Sequence, residues 1–138
     1  MNRSFLFRTL FFASLFSLTL WSCEPDEVNP TVDRSDFIGT WNGQSDGPVG
    51  GPISFIMKIT ASNSSPDGII LENFDGLGQG TFIPAVVDGG TVSIPRCISA
   101  SDTIEGYGNY LNNGTLTFNF TVRDGQSVDE RTATATKQ

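Results

Sequence analysis

Beyond residue 36 the chain reads as an all-β domain, on three observations. Apolar residues recur with a period of two, turn signals carrying glycine break the chain about every ten residues, and no stretch follows the 3.6-residue period of a helix. Eight strands are predicted, near 37–43, 52–61, 68–74, 80–87, 91–96, 103–110, 114–123 and 128–137. Short turns between consecutive strands imply an antiparallel up-and-down meander. Closing it into an eight-stranded barrel removes the exposed edges; a two-sheet β-sandwich is the alternative.

The alternation is plainest in two segments. Ile53, Phe55, Met57 and Ile59 alternate with Ser54, Lys58 and Thr60, with Ile56 as the exception. Leu116, Phe118, Phe120 and Val122 alternate with Thr115, Thr117, Asn119 and Thr121. Between strands stand Pro66-Asp67-Gly68, Asp75-Gly76, Asp88-Gly89-Gly90, Asn112-Asn113-Gly114 and Asp124-Gly125. Asn-Gly and Asp-Gly supply the positive φ values of tight turns. For the last hairpin, a four-residue loop over 124–127 opposes Phe118 with Ala133 and Leu116 with Ala135, large against small. That register points Arg131 inward, opposite Phe120. A two-residue loop would instead set Asp129 against Phe120 and bury an acid without a partner.

The 138 residues carry 15 acidic and 8 basic side chains, a net charge of −7, no histidine and two cysteines. This balance speaks against nucleic acid as a partner, because phosphate binding needs a basic face. Without histidine there is no Ser-His-Asp or Cys-His nucleophile pair and no His-ligated zinc. No catalytic set, cofactor or metal site is therefore expected, and the domain reads as a non-enzyme.

Residues 1–22 read as an export signal. Arg3 and Arg8 precede an uncharged run from Thr9 to Trp21, whose 13 residues are too few to span a bilayer. The run ends in Leu18-Thr19-Leu20-Trp21-Ser22-Cys23, which resembles the lipobox of bacterial lipoproteins, with bulky Trp21 as a departure. The resemblance implies that Cys23 becomes the acylated N-terminus; loss of residues 1–22 moves the charge from −7 to −9. Residues 23–36, with Glu24-Pro25-Asp26-Glu27 and Asn29-Pro30, read as an acidic extended tether. Acids directly after the cysteine resemble the surface-export signals of Bacteroidota lipoproteins, which implies an outer-membrane and even surface-exposed location.

Asp36-Phe37-Ile38-Gly39-Thr40-Trp41 looks like the Gly-x-Trp opening of lipocalins. In that family the tryptophan closes the barrel base under a basic residue of the last strand, a place for which Arg131 stands first here and Lys137 second. The chain is shorter than lipocalins and lacks their C-terminal helix. Over nearly all of 37–138 it resembles small Bacteroidota lipoproteins with lipocalin-like domains. The residues that carry this are Asn73-Phe74-Asp75-Gly76-Leu77-Gly78, Val92-Ser93-Ile94-Pro95, Phe120-Thr121-Val122-Arg123-Asp124-Gly125 and Thr132-Ala133-Thr134-Ala135-Thr136-Lys137. These are framework positions and bring no catalytic residue with them.

The inward aromatics, Trp41, Phe55, Phe82, Phe118, Phe120 and one of Tyr107 or Tyr110, with Arg131, are the candidate lining of a site for a small apolar ligand or peptide. The same side chains are equally the makings of a filled core, which leaves the surface to act on protein partners. Five Asp-Gly pairs, at Asp46, Asp67, Asp75, Asp88 and Asp124, read as turns, since calcium needs its oxygens clustered. Glu72, Glu105, Asp129 and Glu130 show no spacing that marks a hydrolytic pair and read as solvated strand faces. Cys97, the remaining thiol, is either a buried inert residue or one whose pKa Arg96 lowers. The glycine-rich stretch 44–51 is either a lid over one barrel mouth or a plain connection.

Overall fold

A computed structural model describes residues 31–138; the predicted export signal, Cys23 and the start of the predicted tether lie outside them. Eight strands follow in sequence: β1 Gly39–Asp46, β2 Ile53–Ala61, β3 Gly68–Glu72, β4 Phe82–Asp88, β5 Thr91–Ser99, β6 Asp102–Tyr110, β7 Thr115–Arg123 and β8 Val128–Lys137. Each pairs antiparallel with its neighbour, and β8 returns to β1, so the sheet closes into an up-and-down barrel and not a sandwich. The β7–β8 hairpin has the four-residue loop and the expected register, with Phe118 opposite Ala133, Leu116 opposite Ala135 and Phe120 opposite Arg131. Asp124 fixes that loop by accepting from the Gln126 and Ser127 N–H groups at 2.8 and 2.7 Å.

The first strand begins two residues later than its apolar pattern suggests, because residues 34–37 form one helical turn, α1 Arg34–Phe37. Asp33 caps it and Asp36 reaches back to the Asp33 N–H at 3.0 Å, a reciprocal capping box. The described part of the predicted tether is therefore docked, not extended. Val32 and Phe37 are buried in the core cluster, and Arg34 donates to the Ser65 carbonyl at 3.2 Å.

Inside the barrel, large side chains face small ones. Phe118 stands between Gly108 and Ala133, Phe120 between Gly106 and Arg131, and Gly43 between Phe55 and Ala135. A Cβ on Gly43 would stand 2.4 Å from the Phe55 ring, and one on Gly108 2.5 Å from that of Phe118. These glycines are the space that the neighbouring rings occupy, which is how a narrow barrel holds so many aromatics.

Two departures from regular pairing shape the wall. The β4–β5 ladder has only three residue pairs, ending at Val86–Ser93. Carried two residues further, that register opposes Pro84 with Pro95, and neither can donate a ladder hydrogen bond. The β3 strand is also short. After Glu72 the backbone turns left-handed at Asn73 and Asp75, with φ of 57° and 55°, and forms a 3₁₀ turn over Phe74–Gly76. Asn73, a residue type that tolerates this conformation, ties the turn to the sheet. Its Nδ2 donates to the Ile56 carbonyl at 2.8 Å, and its Oδ1 accepts from the Gly78 N–H at 2.8 Å.

Candidate functional site

The 3₁₀ turn drives Phe74 into the barrel, where it is fully buried. Its ring meets Phe120, Phe118 and Phe55 edge-on, at centroid distances of 4.7, 5.1 and 6.1 Å. Phe55, Phe118 and Phe120 thus point inward as expected, and they pack on Phe74, which the alternation pattern did not single out. Trp41 is also inward and buried, but at the opposite end. Its Nε1 donates to the Phe37 carbonyl at 2.8 Å, and Tyr110 packs edge-on against both rings. Tyr110, not Tyr107, is the inward tyrosine.

Phe82 is a correction. It lies on the outer face of β4, 56% exposed, opposite Glu72 of β3. Ile83, Ala85 and Val87 take the inward positions. Apolar residues fill this strand on both faces, so alternation gave no parity there.

Arg131 is a second correction. Lys137, not Arg131, covers the tryptophan: its Nζ lies 5.6 Å from the Trp41 ring centroid and donates to the Asp36 carbonyl at 2.9 Å. Gly39 makes the approach possible, since a Cβ there would stand 2.9 Å from the Lys137 side chain. The cation over the indole contributes about 0.5–1 kcal/mol at such an exposed site.

Arg131 instead enters the barrel near the other mouth, where it is 3% exposed. Its Nη1 donates to Asp129 at 2.8 Å, its Nη2 to Ser45 Oγ at 3.1 Å and to the Gly51 carbonyl at 3.0 Å. Its Nε lies 2.9 Å from Asp75 Oδ2, an ion pair too poorly aligned to be a hydrogen bond. Ser45 Oγ donates to Asp75 Oδ1 in turn. Asp75, expected in a turn, and Asp129, expected on a solvated strand face, are both buried. The carboxylates differ in their titration. Burial pushes Asp75 upward, against the pull of Ser45 and Arg131. For Asp129 burial is outweighed by the hydrogen bonds from Arg131 and from the Gly50 and Val49 N–H groups, so its carboxyl lies below the ordinary range.

The β1–β2 connection is latched to this cluster. Val49 and Gly50 donate to Asp129 at 3.1 and 2.8 Å, and Gly51 accepts from Arg131. Gly47 and Gly50 lie so close that a Cβ on either would stand within 2.6 Å of the Arg131 side chain. The loop thus closes one mouth as a pinned cover. Chemically, the cluster is a structural charge lock: its one cation is shared by two carboxylates and a carbonyl, all facing inward.

The remaining carboxylates stand apart. Glu72 accepts from the Gly80 N–H at 3.2 Å, Glu105 pairs with Arg123 at 3.2 Å, and Glu130 is exposed. Cys97 is half-buried beside the β5 irregularity, and burial pushes its thiol up, so Arg96 does not activate it.

The architecture defines the molecule as a small, closed, eight-stranded up-and-down β-barrel. A redesigned β-barrel is similar to it, superposing with a TM-score of 0.55 and 17% identity over 83% of this chain and 99% of that one. At that identity the likeness concerns the fold. No family model matches the chain, and no curated protein does.

Proposed function

We propose that the chain is a lipid-anchored protein of the bacterial outer membrane that acts without catalysis through the outside of its barrel. The single observation that carries this reading is Phe74. Its buried ring, packed against Phe55, Phe118 and Phe120, takes the space that an apolar ligand between those side chains would need. The charge lock at one mouth and Trp41 under Lys137 at the other support the same reading. A small apolar ligand held inside, the other function expected from the inward aromatics, would require Phe74 to leave.

Native and denaturing mass spectra of the membrane-extracted chain decide between them. The expected result is one mass, that of the acylated polypeptide, in both. An additional mass that vanishes on denaturation means an interior ligand and overturns the surface reading. The anchor has its own test. Cys23→Ala is expected to move the protein from the detergent phase to the aqueous phase, since two or more acyl chains, at about 0.8 kcal/mol per buried methylene, supply the membrane affinity. Continued detergent partitioning of that variant would refute the lipobox assignment.

A further inference from the structure

The outer wall formed by β8, β1, β2 and the Asn73–Gln79 segment carries a groove of about 1070 Å³. It exists because β3 ends early: the β2 residues before Lys58 have no β3 partner, and the 3₁₀ turn with its following loop stands beside Ile56 as a raised flank. The strand registers place its floor in rows, Thr136–Asn42–Ile56 and Thr134–Gln44–Ser54. Lys58 and Glu72, the charged groups of the lining, are direct cross-strand partners.

The chemistry of this floor is narrow. It offers amides and hydroxyls, which both donate and accept, around one exposed apolar residue, Ile56 at 56%. Among the described residues, Gln44, Ser54, Gln79 and Thr134 spend no side-chain group on an intramolecular hydrogen bond, and all four are exposed. An anionic ligand would find one lysine already facing a glutamate. A purely apolar ligand would strand the amides without partners. A neutral, hydroxyl-rich ring with an apolar C–H face satisfies both parts of the floor. We infer that this groove binds a neutral oligosaccharide, with Ile56 under a pyranose ring and Gln44, Ser54 and Thr134 bonding its hydroxyls. The inference rests on the surface-acting reading and names its ligand class.

The test is titration calorimetry of the full acylated chain in a polyoxyethylene detergent, which avoids sugar head groups. The probes are neutral hexasaccharides of the gluco, manno, galacto, xylo and N-acetylglucosamine series. At least one should bind, with affinity falling about tenfold in Gln44→Ala, the loss expected for one or two hydrogen bonds. Ile56→Ser should weaken binding as well, whereas Tyr107→Ser, exposed on β6 across the barrel, should leave it unchanged. The inference is overturned if none of the five series binds, if binding is confined to sulfated or carboxylated glycans, or if the two groove variants bind as the parent does. An interior ligand in the mass spectra would remove the surface reading itself, so the two failures are separable.

Discussion

Replacing Arg131 with methionine lowers the stability of the barrel by about 3–5 kcal/mol at neutral pH, the usual cost of removing one partner from a buried ion pair. Methionine keeps an apolar stem out to the position of the arginine Nε, so most of the effect is loss of the guanidinium and its partners and less of it lost apolar packing. What remains is Asp75 inside the barrel with Ser45 but no cation, and Asp129 with only the loop N–H groups. Urea unfolding followed by far-ultraviolet circular dichroism measures the loss. Its pH dependence identifies the mechanism. In the parent protein Asp129 sits below its unfolded pKa, so its contribution is present above that value and is lost as the pH falls through the folded one. Asp75, pushed up by burial, contributes in the opposite sense, its stability present below the unfolded pKa and lost as the pH rises. Without Arg131 the Asp75 carboxyl rises further and that of Asp129 loses its main support. The gap between parent and Arg131→Met should therefore be widest near pH 7 and narrow only as the pH falls through the folded pKa of Asp129, below the ordinary carboxylate range, where both acids become protonated. A gap independent of pH would mean that Arg131 acts by packing alone.

Phe74→Ala is the second large effect, also expected to cost about 3–5 kcal/mol, because the void it leaves has a closed sheet around it. The backbone at this point is fixed independently of the ring, by Asn73 bonded to Ile56 and Gly78 and by Asp75 bonded to Ser45. The turn should persist, leaving a cavity lined by Phe55, Phe118 and Phe120. An apolar cavity of that kind stays dry and takes up small aromatic molecules. Benzene should accordingly raise the melting temperature of Phe74→Ala and leave the parent unchanged. If the parent responds equally, the interior already has room for a ligand, and the filled-core interpretation fails. If the variant loses less than about 1 kcal/mol, the range of ordinary surface changes, Phe74 is not the plug that its burial indicates.

Much of the fold was legible in the chain because it is written locally. Period-two alternation in β2 and β7 and the Asp-Gly and Asn-Gly turns set the number and order of strands. The register of β7 and β8 followed from two local arguments, that only one loop length sets both Phe118 and Leu116 against alanines and that the shorter loop sets Asp129 against Phe120. Where local signals ran out, the expectations failed for definable reasons. Phe82-Ile83-Pro84-Ala85-Val86-Val87 is apolar at every position, so nothing in the pattern says which set faces in. Pairing with β3 decides it and sends Phe82 out. Phe74 and Asp75 lie in a left-handed turn past the end of a strand, where alternation no longer reports on burial.

With barrel or sandwich left open, the sequence by itself determined eight antiparallel strands in order, their turns, the inward direction of Trp41, Phe55, Phe118 and Phe120 and that of Arg131. These depend on side-chain period, turn chemistry and the volume of directly opposed residues. Tertiary structure alone decided the contents of the barrel and the partners of its charges. Asp75 and Arg131 are 56 positions apart in the chain, and Lys137 and Trp41 are 96 apart. No local pattern relates such residues. They meet because closure of β8 onto β1 brings the last strand beside the first, so that Lys137 rather than Arg131 reaches the tryptophan and Arg131 is left to neutralise Asp75 and Asp129.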